Sequence, residues 1–167
     1  VFSADGIDPA SYLLAQGLPA DLGRHVADLG AGWGYLSAQI MGRDTIETLH
    51  LVEVDHSALE CARHNVPDPR AQFHWADATA WRPKKALDCV VMNPPFHTTR
   101  SADPDLGRAF IAAAAAALAP QGRLFMVANR HLPYELALAQ HFGQVTEFGG
   151  DARFKLLLGE RPARLRR

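Results

Sequence analysis

The feature that most constrains this chain is the run Leu87-Asp88-Cys89-Val90-Val91-Met92, followed at once by Asn93-Pro94-Pro95-Phe96. A short apolar run bounded by turn residues is the mark of a strand buried on both faces. Two prolines end it, because neither can donate to a central ladder. A strand covered on both faces needs helices above and below it, so the surrounding sequence should alternate strands with helices. It does. His25–Leu29 predicts a strand, with glycines directly after it and a helix over Tyr35–Met41. Thr48–Val54 predicts a strand, Ser57–Asn65 a helix and Ala71–Trp75 a short strand. Asp105–Ala119 predicts a helix stopped by Pro120, Gly122–Ala128 a strand, and Pro133–Phe142 a helix with proline in its first turn. Gln144–Phe148 and Arg153–Leu158 then predict two strands around Gly149, Gly150 and Asp151, a hairpin-turn composition. The expected fold is α/β: a doubly wound, mostly parallel sheet that ends in an antiparallel pair. No repeat or long linker divides residues 1–167, which read as one domain.

Composition narrows the function classes. Charged residues make up 21% and apolar residues 48%, an ordinary globular balance. No window approaches the roughly 18 consecutive apolar residues of a membrane span, so no membrane partner is expected. Cys61 and Cys89 each read as small buried residues, and a reducing cytoplasm is the simpler setting. The eight histidines form no metal-ligand spacing, so no metal is expected. The net charge of -1 gives little general attraction for phosphate. Basic residues do crowd the C-terminus at Arg161, Arg164, Arg166 and Arg167, and Arg100 and Arg108 flank a loop.

In open sheets of this kind ligands sit beyond the carboxyl ends of the strands. Asp28-Leu29-Gly30-Ala31-Gly32-Trp33-Gly34 leaves the first strand there. Its glycines allow a tight turn and close approach of backbone to a ligand. The dinucleotide fingerprint places its third glycine one position later, which disfavours NAD and FAD. The plain alternative is a tight turn with no ligand. Asp55, at the end of the second strand, can accept from both hydroxyls of a ribose, or it can cap the next helix. Glu53, on the same strand face, is a weaker candidate. Asp77 can accept from an adenine amino group while the neighbouring Ala78 N–H donates to the ring, or it is a turn aspartate.

Asn93–Phe96 suits a more specific chemistry. The lone pair of a nucleobase amino group is delocalised into the ring and is a poor nucleophile. The Asn93 side-chain oxygen and the Pro94 carbonyl can each accept one of its N–H groups. That pulls the nitrogen towards a tetrahedral shape and aims its lone pair at a methyl donor. Proline rigidity fixes the carbonyl, and Phe96 can stack on the base. Catalysis is then by proximity and orientation, and the proton leaves to water after attack.

Asp28–Gly34, Asp55, Asp77 and Asn93–Phe96, in that order, resemble the class I methyltransferase pattern. Val1–Asp8, His97 directly after Phe96, Val127–Tyr134 and Arg153-Phe154-Lys155 narrow the likeness. Together they resemble the catalytic half of the bacterial ribosomal RNA guanine-N2 methyltransferases, in which one branch modifies small-subunit RNA and a sister branch large-subunit RNA. The resemblance implies a seven-stranded sheet, S-adenosylmethionine as donor with S-adenosylhomocysteine as product, and a guanine of ribosomal RNA or the ribosomal subunit as acceptor. Small-subunit RNA is the preferred substrate. It also implies a second, non-catalytic domain N-terminal to Val1. Asn93, Pro94 and Phe96 become catalytic candidates. Asp28, Gly30, Gly32, Gly34, Asp55, Asp77 and Ala78 become donor-binding candidates. Pro95, His97 and Arg100 become substrate-binding candidates, and the loop from His97 to Gly107 is expected to clamp over RNA. Trp33 departs from the smaller or polar residue that relatives often carry. The alternatives are an enzyme acting on adenine N6 or a glutamine amide, and a degenerate domain that only binds RNA. The intact glycine turn and Asn93–Phe96 argue against the last.

Overall fold

The computed structural model describes residues 6–95 and 104–163. Its sheet has seven strands: β1 (His25–Leu29), β2 (Thr48–Glu53), β3 (Ala71–Trp75), β4 (Leu87–Met92), β5 (Leu118–Asn129), β6 (Phe142–Gly150) and β7 (Phe154–Pro162). The spatial order is β3-β2-β1-β4-β5-β7-β6. Strands β1 to β5 run parallel, and β7 inserts antiparallel between β5 and β6. This is the doubly wound sheet with an antiparallel end that the sequence predicts.

Side-chain alternation explains why the middle strands tolerate almost no polar residue. Val26, Cys89, Val91, Phe125 and Val127 join one apolar cluster, and Ala27, Val90, Met92, Leu124 and Met126 join the other. Successive residues of a strand point to opposite faces, so both faces must be apolar when both are covered. Helices α1 (Pro9–Gly17), α2 (Tyr35–Ile40) and α3 (His56–Asn65) cover the first face. Helices α4 (Pro104–Ala117) and α5 (Tyr134–His141) cover the second. Cys61 and Cys89 are both free thiols.

Three differences from the sequence reading have local causes. Helix α1 was not expected. It starts on Asp8, whose carboxylate accepts from Ser11 N, with proline in the first helical turn, and it buries Ala10 and Leu14 four residues apart on one side. Helix α4 stops at Ala117, before Pro120, because Leu118 already pairs with Leu87. The ladder then shifts before Arg123, and Pro120 falls in that irregular stretch, where its missing N–H breaks no pair. The hairpin turn lies one step later than predicted. Strand β6 runs through Gly150, and Asp151 accepts from Arg153 N and Phe154 N, each at 2.8 Å.

Candidate active site

The order of the sheet reverses between β1 and β4. At the carboxyl ends of these strands lies a cleft of about 970 Å³. A smaller pocket of about 180 Å³ sits beside it, against the glycine turn. Asn93, Gly30 and Asp8 border both spaces.

The glycine turn hangs on β2. Gly30 N and Ala31 N both donate to the Val52 carbonyl, at 2.8 and 3.0 Å. Gly30, Gly32 and Gly34 all adopt positive φ, a region that side chains with a Cβ rarely enter. Gly34 does different work from the other two. A Cβ there would press on Ala62 and Val66, at 3.1 to 3.2 Å, so its bareness serves α2–α3 packing, and it borders neither space.

Asp28 is buried at 1% exposure. Its Oδ2 accepts from Ser37 Oγ at 2.8 Å, while its buried Oδ1 has no partner. Burial pushes its carboxyl up to about 7, the charge of Glu53 adds to this, and the Ser37 hydrogen bonds oppose it. A buried carboxylate oxygen without a partner, bordering a small pocket, fits a cationic group on a ligand.

Glu53 and Asp55 both border the larger cleft, but their environments differ. Glu53 accepts from Gly32 N at 2.9 Å and from Asp55 N at 2.8 Å, which ties β2 to the glycine turn. Asp55 is exposed and caps α3 by accepting from Ala58 N at 3.2 Å. Asp77 accepts from the Thr79 N–H and hydroxyl, at 2.9 and 2.7 Å, and these bonds hold its carboxyl below the usual range. Ala78 beside it is buried and also borders the cleft.

Asn93 is half-buried, Pro94 is buried and Pro95 is exposed, all at the end of β4. The Asn93 side-chain nitrogen donates to Asp8 Oδ2 at 2.7 Å and to Ser11 Oγ at 2.9 Å. Phe96, His97 and Arg100 lie outside the described residues, as does most of the loop expected to clamp over RNA.

The far wall of the cleft holds residues to which the sequence reading assigned no role. Asn129, Leu132, Tyr134, Arg153 and Phe154 border it. The Arg153 guanidinium lies 4.9 Å from the centre of the Phe154 ring, a cation–π stack. Lys155 is buried and donates to the Leu132 carbonyl at 2.6 Å and to Glu135 Oε1 at 2.8 Å. Arg130 clasps the β6–β7 turn through the carbonyls of Asp151 and Phe154. These residues stand in the stretches Val127–Tyr134 and Arg153-Phe154-Lys155, which the sequence flags without saying what they face. Among the described residues no group of side chains could hold a metal ion, and no helix is long and apolar enough to cross a membrane.

The family model of the methyltransferase small domain matches residues 1–158. The chain belongs to this family. The chain is 33% identical over 160 residues to the ribosomal RNA large subunit methyltransferase G of Alcanivorax borkumensis, covering 92% of this chain and 41% of that protein. It is 31% identical to the ribosomal RNA small subunit methyltransferase C of Hahella chejuensis, covering 93% and 46%. Among solved structures it is similar to a 16S rRNA N2 methyltransferase of T. thermophilus bound to AdoMet and guanosine. The TM-score is 0.78, with 32% identity over 96% of this chain and 45% of that one. The chain thus spans less than half the length of these relatives. The methyl donor of the family is S-adenosylmethionine, and the unpartnered Asp28 oxygen, the open glycine turn and the acidic row Glu53, Asp55 and Asp77 fit it. Its ammonium would suit Asp28, and its ribose and adenine amino group would offer donors to the acidic row.

Proposed function

We propose that the methyltransferase transfers a methyl group to the exocyclic N2 amine of a guanine in ribosomal RNA, with small-subunit RNA as substrate. The observation that carries this reading is the position of Asn93, which borders both the pocket of the glycine turn and the larger cleft. A group anchored at Asp28 and one held at Asn93 meet there. The guanosine bound by the T. thermophilus relative supports guanine as the base.

Asp28 receives the donor's ammonium, and Glu53 with Asp55 receives the ribose hydroxyls. Asp77 and the Ala78 N–H frame the adenine. The donor supplies a methyl carbon made electrophilic by its sulfonium. The Asn93 oxygen and the Pro94 carbonyl each accept a hydrogen bond from one N–H of the guanine amine and turn its lone pair towards that carbon. Phe96, from sequence alone, supplies a stacking face, Pro95 packs at the rim, and His97 and Arg100 contact the RNA. Arg153 on Phe154 offers a further planar cation on the far wall. The nitrogen bonds to the methyl carbon as the carbon–sulfur bond breaks. The amine, now positively charged, loses its proton to water. Orientation supplies most of the acceleration, as expected where no general base is needed before attack.

RNA affinity is proposed to come mainly from a further domain, because a net charge of -1 offers little general attraction for phosphate. Residues 1–167 alone are then expected to bind donor but to methylate RNA poorly beside the full-length protein. Nucleoside mapping of ribosomal RNA from cells lacking the gene tests the whole reading. Loss of one N2-methylguanosine from small-subunit RNA is the expected result. Its loss from large-subunit RNA decides for the second reading, which the likeness to the large-subunit enzymes favours. Unchanged N2-methylguanosine in both RNAs refutes the proposal.

A further inference from the structure

We propose that Asp8 and Ser11, at the start of α1, are positioning residues for the transfer. They fix the Asn93 amide so that its oxygen, and not its nitrogen, meets the acceptor amine. The inference rests on the role given to Asn93 above.

An asparagine amide has two nearly isosteric faces, one that donates and one that accepts. Only the accepting face can draw a proton of the acceptor amine. Asp8 resolves the choice, because a carboxylate only accepts. Its Oδ2 lies 2.7 Å from Asn93 Nδ2. Turned by half a rotation, the Asn93 oxygen would meet that carboxylate, acceptor against acceptor. Its nitrogen would then meet the substrate N–H, donor against donor. The wrong orientation is disfavoured at both ends.

Ser11 completes the clamp. Its hydroxyl donates to Asp8 Oδ2 at 3.2 Å, which leaves its lone pairs for the second Asn93 proton at 2.9 Å. Both N–H groups of the amide are therefore used, and its oxygen is left for the cleft. The mount is rigid. Asp8 Oδ2 also caps α1 through Ser11 N at 3.2 Å, and α1 is anchored by Ala10 and Leu14 in the core. One carboxylate oxygen both starts the helix and aims the amide.

The size of the effect follows. Equal population of the two amide orientations costs only about two-fold in rate. A displaced amide costs more, because a misplacement of about 1 Å is worth up to about 100-fold. The test substitutes Asp8 in the full-length protein. Asp8→Ser keeps a helix-capping side chain but is too short to reach Asn93. It is expected to lower kcat by about 10- to 100-fold. The donor Kd, the KM for RNA and the Tm should hold, and the loss should vanish in an Asn93→Ala background. Asp8→Asn keeps an acceptor oxygen and should recover most of the rate. Ser11→Ala should repeat the kcat pattern at smaller size, and it carries the test if Asp8→Ser fails to fold. Wild-type kcat in both Asp8→Ser and Ser11→Ala, with Asn93→Ala inactive, overturns the clamp and leaves the role of Asn93 standing. So does a loss in Asp8→Ser that persists in full without Asn93. Full activity in Asn93→Ala instead overturns the reading beneath it.

Discussion

The burial of Asp28 sets a pH dependence for donor binding that can be worked out in sign and size. Its carboxyl is raised from 3.8 to about 7, chiefly by desolvation. At about 1.36 kcal/mol per pH unit, ionising it in the free protein at pH 8 costs roughly 4 kcal/mol of stability, an upper bound. Because the folded value lies above the unfolded one, this cost is absent below about pH 4 and grows as pH rises from there to 7. With the donor's ammonium placed as proposed, the preference reverses, since it would bind the ionised carboxylate. Below pH 7 each unit of acid then weakens donor binding by up to about ten-fold, because a proton must leave Asp28 first. Asp28→Asn removes both effects. It should raise the Tm of the free protein at pH 8 and weaken donor binding there by about ten-fold or more. It should also flatten the acid limb of the affinity profile. Calorimetric titration with S-adenosylmethionine from pH 5.5 to 7.5, on wild type and variant, measures all of this. A wild-type affinity that stays level between pH 7.5 and 6, or an Asp28→Asn variant with wild-type affinity at pH 8, refutes the reasoning.

The remaining expectations concern single residues. Asn93→Ala should lower kcat by about 100- to 1,000-fold while leaving the donor Kd within about two-fold, as single-turnover rates and calorimetry will report. Glu53→Ala and Asp55→Ala should each weaken donor binding, Glu53 by about ten-fold or more. Asp55→Ala should also cost about 1 kcal/mol of stability through the lost α3 cap, read by urea unfolding. Gly107→Ala should destabilise the protein by about 1–3 kcal/mol, because a Cβ there runs into the buried Tyr134 ring and hydroxyl. That outweighs the roughly 1 kcal/mol that alanine brings to a helix, and a rise in Tm would contradict it. Lys155→Met should cost about 1–3 kcal/mol by stranding the Leu132 carbonyl, measured as a lower urea midpoint.

The elements legible in the sequence were those whose signal is local. His25–Leu29 and Leu87–Met92 have the bounds read from their apolar patterns, because burial on both sheet faces is written into nearly every residue. Gly30, Gly32 and Asn93–Pro95 were legible as turn residues at strand ends, and that is where they border the two spaces. Helix α1 was missed although Asp8, Pro9 and Ser11 carry start signals, since its short apolar stripe is hard to tell from a loop. The contact between Asp8 and Asn93 spans 85 positions, and no local pattern records such a partner. The same holds for the far wall, where Arg153 meets the cleft only because β7 pairs Phe154 with Asn129. The sequence ranked Asp55 above Glu53, and it could not show that Asp55 caps α3 while Glu53 ties β2 to the glycine turn, because both contacts depend on where neighbouring elements begin.

The insertion of β7 between β5 and β6 has a consequence during synthesis on the ribosome. Every parallel strand can pair before residue 154 has left the exit tunnel, but β6 has no neighbour until β7 arrives. Until then β5 is an open edge along Leu124–Ala128, a buried apolar stretch in the finished sheet. Unpaired apolar edges recruit strands from other chains. Nascent chains stalled in the β6–β7 turn should therefore hold a nearly complete donor side and still be the most aggregation-prone intermediates of this domain. Arg153 and Phe154 reach the cleft with the strand that closes that edge, so this wall of the cleft and protection from aggregation arrive in the same step.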